Sequence, residues 1–470
     1  MDGLNQNIFK IIGSISDEMD TQCFVVGGWV RDQIMNRENS MDIDIVAVGN
    51  ALDLAKKCSK NLKGSKVSVF KKFGTAHFKV DNINIEFVQA RSESYTPDSR
   101  KPKVEPSTLK EDQLRRDFTI NSLAISLNKE SWGKLVDPFD GTKDLKNKII
   151  RTPLKADKTF ADDPLRMLRA IRFASQLNFK IEAKTFQGIK ESADRISILS
   201  AERIHVELNK IMLCDTPSVG LALLQESGLM PLILPEVSAL EGVDEIEGHM
   251  HKDNFWHTLE VVDNLAKISD DLWHRWSALL HDIGKPPVKK FLENVGWTFH
   301  GHEYLGGKMA RSIFKRLSLP QDERLQFVIK LIRMSSRPIA VSSDVATQSA
   351  VRRLLFDAGN SIDSLMELCE ADITTKNPKR KKKYLENFKI VRQRLIEVEK
   401  RDKLRNWQPP VDGVQLMKWF NLSPGKEIGN IKALIREAVL DGEISNTFEA
   451  AKKLAYGYAK ENGIIELKDD

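Results

Sequence analysis

The chain has 470 residues, of which 41% are hydrophobic and 29% charged, with a formal net charge of +6. That length accommodates roughly two to four domains with substantial cores. With no basic-then-apolar start and no uninterrupted run of about 18 apolar residues, neither secretion nor a membrane span is indicated, and the expected location is the cytoplasm. The charge is too mild to demonstrate a polyanionic partner, though compatible with one. Cys23, Cys58, Cys214 and Cys369 are scattered without Cys-x-x-Cys spacing, so zinc and redox chemistry are unsupported and buried reduced thiols are expected.

Up to about residue 150, short strands at Cys23–Val26, Ile43–Val48, Ala76–Val80 and Ile83–Val88 alternate with helical patterns, which predicts an α/β head. The first strand runs into Gly27-Gly28-Trp29-Val30-Arg31-Asp32. A diglycine turn at a helix N-terminus lets backbone N–H groups approach phosphate oxygens, and Arg31 adds charge for a triphosphate. The second strand contains Asp42-Ile43-Asp44. Side chains i and i+2 leave a strand on the same face, so both carboxylates point at one place and call for a cation; standing alone, the pair is equally a solvated strand end. Glu86, on the fourth strand, is a candidate third acid or simply an exposed carboxylate.

A polar stretch from Arg91 to Asp112, with three prolines, is longer than a passive connector and predicts a functional flap. It is followed by Leu114-Arg115-Arg116-Asp117-Phe118-Thr119-Ile120-Asn121. Taken locally this is a helix start, with Asp117 near the N-cap and surface arginines.

The ordered set Gly-Gly-x-x-Arg-Asp, Asp-x-Asp and Arg-Arg-Asp-Phe-x-x-Asn resembles the class II tRNA nucleotidyltransferases, the CCA-adding enzymes and their bacterial poly(A) polymerase relatives. The resemblance continues through Gly141-Thr142-Lys143-Asp144-Leu145 with Ile150-Arg151, through Asp162-Asp163-Pro164-Leu165-Arg166-Met167-Leu168-Arg169, and through Ser200-Ala201-Glu202-Arg203-Ile204. It implies an α+β fold: a nucleotidyltransferase head of DNA polymerase beta type, with a mixed sheet and helices, then an all-α neck, HD body and tail. The expected divisions are 1–150 for the head, 151–240 for the neck, 241–404 for the HD domain and 405–470 for the tail.

The resemblance also assigns chemistry. Asp42 and Asp44, with Glu86 as a candidate, would hold Mg²⁺, because hard oxygen donors favour it and nucleotidyl transfer uses paired carboxylates to hold its ions. Gly27, Gly28, Arg31, Arg116, Asp117, Asn121 and Arg169 would bind the incoming CTP or ATP. Cytosine and adenine both present an exocyclic amino donor beside a ring-nitrogen acceptor, whereas uracil and guanine present a carbonyl beside a ring N–H. An acid and an arginine at Asp163 and Arg166, expected on one helix face at i and i+3, would accept the first pair and reject the second; an ordinary intrahelical ion pair is the alternative. In the family the flap position helps switch nucleotide choice, which disfavours an enzyme adding C alone.

Beyond Asp162 the pattern reads as helical throughout, with helices at Pro164–Leu177 and Ala201–Leu213. Trp276-Ser277-Ala278-Leu279-Leu280-His281-Asp282, with His257 and Asp372, resembles the metal-dependent phosphohydrolases of the HD family, and His300 and His302 would line the same cavity. Imidazole and carboxylate ligands suit a divalent metal that activates water, its identity open; a helical body that only supports RNA is the alternative. Lys379-Arg380-Lys381-Lys382-Lys383 would contact RNA phosphates or form a solvated helix start. The expected function is addition of C, C and A to the 3′ end of tRNA. Its rivals are a poly(A) polymerase, an A-adding partial enzyme, and an HD phosphohydrolase with an RNA-binding head. Val69–Val80 lacks the Gly-Arg-Arg-Phe element of the poly(A) polymerases.

Overall fold

The computed structural model describes residues 2–37, 41–96, 99–246, 249–250, 253–342, 347–402, 405 and 407–464. They form two compact units, Met1–Pro235 and Glu236–Asp470.

The first unit is organised by a seven-stranded sheet. Its strands are β1 (Gln22–Val26), β2 (Asp42–Val48), β3 (Ser68–Phe70), β4 (Thr75–Val80), β5 (Ile83–Gln89), β8 (Ala124–Ser126) and β9 (Leu135–Val136), in the order β3-β4-β5-β2-β1-β8-β9. All neighbours are antiparallel except β2 and β5, so the sheet is mixed. β1 and β2 are apolar and buried over most of their length, and helices Asn7–Glu18 and Ala51–Asn61 cover them through Phe9, Ile12, Leu54 and Ala55. Phe9 meets the fully buried ring of Trp29, centroids 4.7 Å apart.

The stretch expected as a flap pairs with itself: β6 (Arg91–Thr96) and β7 (Ser99–Pro106) form a separate antiparallel hairpin. After it, Thr108 and Glu111 form a reciprocal capping box on the short helix Leu109–Leu114. The helix expected to start near Asp117 is absent. Thr119–Asn121 is one turn of 3-10 helix, and β8 follows with all three residues buried.

Beyond Asp162 the chain is largely helical, with exceptions. β10 (Ile149–Ile150) pairs in parallel with β11 (Lys180–Ile181), and in the second unit Glu245–Ile246 pairs with His249–Met250 and Lys290–Leu292 with Gly296–Thr298. Such two- and three-residue ladders are too short to carry a strand period. Helix Leu165–Leu177 is buried along most of its faces between Ala201–Met212 and Pro217–Glu226.

The second unit packs helices Asn254–Ala266, Leu272–Leu280, His302–Arg316, Glu323–Met334 and Ile362–Ala371 around a core that includes Trp276 and Phe314. The long helix Pro378–Asp402 follows. A three-helix module at Gly413–Phe420, Lys426–Asp441 and Phe448–Glu461 has its own core of Leu416, Phe420, Ile431, Ile435 and Ala455. All four cysteines are buried and free, as expected. Among the described residues no helix is long and apolar enough to cross a membrane.

Candidate functional site

Sheet register assembles the first site. In the parallel β2–β5 pair, Asp42 lies opposite Asn84 and Asp44 opposite Glu86, so three carboxylates share one face. Asn84 Nδ2 donates to Asp42 Oδ1 at 2.7 Å. Burial pushes the Asp44 carboxyl above its ordinary value; Arg116 pulls it down and Asp42 pushes it further up. Glu86 is also raised, first by burial and then by Asp44. Facing carboxylates that each resist ionising constitute a donor set that a hard cation would relieve, so these residues fit a divalent ion.

On the other side of β2, Val26 pairs with Asp44, and β1 delivers Gly27 beside it. A Cβ on Gly27 would stand 3.4 Å from both Arg116 Nη1 and Asp44 Oδ2, and its φ of +75° lies in the region open to glycine. Gly27 thus lies within reach of both the Asp44 carboxylate and the Arg116 guanidinium at the N-terminus of helix Gly28–Ile34, and its positive φ is what disfavours a side chain there. Asp112, fully buried, accepts from both Arg115 and Arg116, with Arg116 Nη2 at 3.1 Å. Burial works to raise Asp112, but the two guanidiniums prevail and hold it below the usual carboxylate range.

Several residues expected to touch nucleotide form a buried polar chain with one another. Arg31 is 5% exposed. It makes a two-pronged ion pair with Asp32, and its Nη1 donates to Asn121 Oδ1 at 2.8 Å. Asn121 Nδ2 donates to Asp117 Oδ1, while Asp117 Oδ2 accepts from Arg169 at 2.6 Å. Burial would raise Asp117, and Arg169 overrides it to hold the carboxyl low. The guanidiniums of Arg31, Arg169 and Arg172 all approach the Phe173 ring, at 5.1, 5.4 and 3.9 Å. Arg31, Asp117 and Asn121 thus tie the head to the helix that carries Arg169.

Asp163 and Arg166 do not share a helix face. Pro164 follows Asp163, which is extended (φ −145°, ψ 104°) at the break before helix Leu165–Leu177. Asp163 pairs with Arg203 at 2.9 Å. Arg166 Nη2 donates to the carbonyl of Arg115 at 2.7 Å, linking the helix to the Arg115-Arg116 turn. Sequence reasoning missed Asp112 and the pairing role of Arg203. The i, i+3 and i, i+4 spacing of Asp112 from the two arginines was an available signal.

The second site lies at the end of helix Leu272–Leu280. His257, His281 and Asp372 each offer a ligand atom within 4.8 Å of the others. His257 Nε2 is 2.8 Å from Asp372 Oδ1, and its Nδ1 meets Thr374 Oγ1 at 2.9 Å, fixing the ring. His281 Nδ1 faces the Ala278 carbonyl at 2.7 Å. His281 Nε2 and Asp372 Oδ1 are buried without a hydrogen bond of acceptable geometry, the condition expected of atoms arranged for a metal. Asp282 stands beside this triad: its Oδ2 is 3.3 Å from His281 Nε2 and accepts from Lys285 at 2.6 Å. Burial would lower His281, but Asp282 prevails and raises it to about 8. His302 Nε2 lies 3.8 Å from Asp282 Oδ1, while His300 is exposed. Residues 379–383 are exposed at the start of helix Pro378–Asp402.

Residues 23–151 match the poly A polymerase head domain, 178–240 the probable RNA and SrmB-binding site of polymerase A, and 254–375 the HD domain. The Multifunctional CCA protein of Pseudomonas fluorescens (strain Pf0-1) is 32% identical over 64% of this chain and 71% of its own. The chain belongs to the tRNA nucleotidyltransferase family. The A-adding tRNA nucleotidyltransferase of Aquifex aeolicus (strain VF5) is 35% identical over 61% of this chain, which spans only 35% of that relative's length. A solved tRNA nucleotidyltransferase, complexed with a primer tRNA and an incoming ATP analogue, superimposes with a TM-score of 0.58 at 26% identity, covering 81% of this chain and 99% of its own. Within the family, the head sheet and the HD triad are this chain's two candidate centres.

Proposed function

We propose that this protein adds C, C and A to the 3′ end of tRNA from CTP and ATP, releasing pyrophosphate, without a nucleic-acid template. The observation that carries the reading is the β2–β5 register that sets Asp44 against Glu86, with Asp42 on the same face and Arg116 alongside. Mg²⁺ held there would activate the terminal hydroxyl and neutralise the leaving pyrophosphate. Asp42 and Asp44 are the principal ligands, with Glu86 as the third. Arg116, braced by Asp112, binds phosphate oxygens, and the Gly27-Gly28 turn keeps the approach open. Asp163 and Arg166 read the base edge from the segment behind Pro164, Arg203 orienting the acid. Arg31, Asp117, Asn121 and Arg169 hold the two faces of the nucleotide site in register.

Addition of A alone is the second reading, favoured by the A-adding name of the Aquifex relative. Incubating purified protein and Mg²⁺ with one labelled nucleotide at a time distinguishes them. On tRNA lacking its 3′ end, the CCA reading expects C to be incorporated. On tRNA ending in CC it expects one A, and U and G on neither. Incorporation of A only, and only on the CC end, establishes A-adding; long A tails establish a poly(A) polymerase; no transfer with intact tRNA binding leaves an RNA-binding head beside a phosphohydrolase.

For the second site we propose a divalent metal held by His257, His281 and Asp372, with Asp282 in support, and hydrolysis of phosphate ends on RNA or nucleotides. The exposed run Lys379, Arg380, Lys381, Lys382 and Lys383 supplies salt-sensitive phosphate contacts. Release of phosphate from monoester or 2′,3′-cyclic substrates, surveyed with Mg²⁺, Mn²⁺, Ni²⁺ and Co²⁺, is the corresponding assay.

A further inference from the structure

A cavity of about 680 Å³ opens beside the HD triad, with His257 and Asp372 in its wall. Its volume falls in the range of small-molecule sites, far beyond what phosphate alone requires. Another part of the wall is of a different kind. Tyr384, Asn387 and Phe388 line it from helix Pro378–Asp402, and their i, i+3, i+4 spacing puts them on one helix face. Phe388 is buried, 4% exposed, and adds apolar surface, while Tyr384 is 44% exposed and presents an aromatic ring to the cavity. Asn387 carries a donor and an acceptor side by side, the pattern needed to meet a base edge. Lys376, also in the wall, adds a cation at the rim, and Arg380 lies one helical turn before Tyr384.

Resting on the metal-site reading above, we propose that this cavity is a nucleoside subsite: it takes the base of a nucleoside monophosphate, stacked on Tyr384 and read by Asn387, and so directs the phosphate to His257 and Asp372. Base-on-aromatic stacking tolerates any base because each has a π-face. Selectivity therefore falls to Asn387. Both a free mononucleotide and the phosphorylated 3′ end of an RNA carry this chemistry, and the basic residues at the helix start would favour the RNA end.

Because the head also binds nucleotides, the test must locate the ligand. Full-length protein is irradiated with 8-azidoadenosine 3′-monophosphate, and crosslinked peptides are mapped by mass spectrometry. The expected label falls between Ile373 and Phe388 and is competed by adenosine 3′-monophosphate but not by equal inorganic phosphate. Tyr384→Ala should lower it at least tenfold, Asn387→Leu should weaken it, and Tyr384→Phe should preserve it, with metal content and thermal melting unchanged. Label confined to the head, or undiminished in Tyr384→Ala, overturns the subsite. Better competition by an RNA bearing a 3′-phosphate names the RNA end as the source, and equal competition names the mononucleotide. Phosphate release is measured separately, so a silent hydrolase with a Tyr384-dependent label refutes the hydrolytic reading and keeps the subsite.

Discussion

In the head, the candidate ligands come from adjacent strands of one sheet, whereas the HD triad gathers residues 257, 281 and 372 from segments far apart in the chain. The head places its carboxylates by backbone register, so Asp44 and Glu86 face each other because their strands pair, whatever the side chains prefer. Burial there raises both carboxyls, and neighbouring carboxylates add to it, Asp42 for Asp44 and Asp44 for Glu86. The HD centre alternates imidazole with carboxylate, and there Asp372 is held low despite its burial, by His257 and then His281. A sheet thus makes a site of desolvated, like-charged carboxylates that a cation would relieve, while a helical body makes one in which imidazole and carboxylate partly offset each other's charge.

The sharpest way to break this contrast is to remove a head carboxylate. Asp44→Ala or Asp42→Ala should reduce nucleotide addition by about a thousandfold or more, roughly 4 kcal/mol in the barrier, while gel-shift affinity for tRNA stays near wild type, since phosphate contacts position the RNA. Addition retained within about tenfold, ~1.4 kcal/mol, would mean these residues do not hold the reacting metal.

The buried chain beneath that face makes the next prediction. Asp117→Asn keeps the shape but leaves Arg169 without its charge partner, at an expected cost of roughly 2–3 kcal/mol, somewhat below a fully buried pair because Arg169 is 33% exposed. Asp117 is depressed when folded, so its contribution is fully present above the unfolded value of about 3.9 and is lost as pH falls through the lower folded value. Urea unfolding of the variant should therefore differ from wild type at pH 7 and converge with it in strong acid. An equal difference at both pH values would remove the ion pair as its cause.

How much of this was readable beforehand depends on what each element had to satisfy. Strands with one buried and one wetter face, such as Thr75–Val80, announce themselves by alternation. Ala124–Ser126 is buried on both faces and carries no such signal, so an apolar helix was expected around it. The Asp-x-Asp pair and the His-Asp step were legible because their spacing is local. The bond from Arg31 to Asn121 was not legible, because the two are 90 residues apart and only the tertiary fold brings them together. The break at Asp163 is different: Pro164 disfavours helix in the residue before it, and this signal was present but outweighed by the i, i+3 pattern.

That break sharpens the comparison for base choice. Asp163→Ala and Arg166→Ala should each raise misincorporation of U or G about tenfold in a four-nucleotide competition, because half of a hydrogen-bonding pair no longer penalises the wrong edge. Arg203→Ala should do so less, since it only orients Asp163. Unchanged discrimination in all three would leave these residues a purely structural link between the helix and the Arg115-Arg116 turn.

The smallest expected effect is the one that tests whether the two centres are separate. Every head ligand lies in the compact unit that ends at Pro235, and every HD ligand in the unit that begins at Glu236. No step of nucleotidyl transfer calls for an imidazole-held metal. His281→Ala should therefore strip metal from the second unit, read by elemental analysis, and abolish phosphate release wherever the wild type shows it. Nucleotide addition should stay within about twofold of wild type, under ~0.5 kcal/mol. Because His281 is buried beside Asp282 and Lys285, the variant's fold must first be confirmed by circular dichroism. His281→Gln, which keeps more of the volume, guards against a trivial collapse. If both variants are folded and metal-free yet lose addition, the HD centre supports transfer in the head, and the contrast between an imidazole–carboxylate site and a carboxylate one becomes a coupling between them.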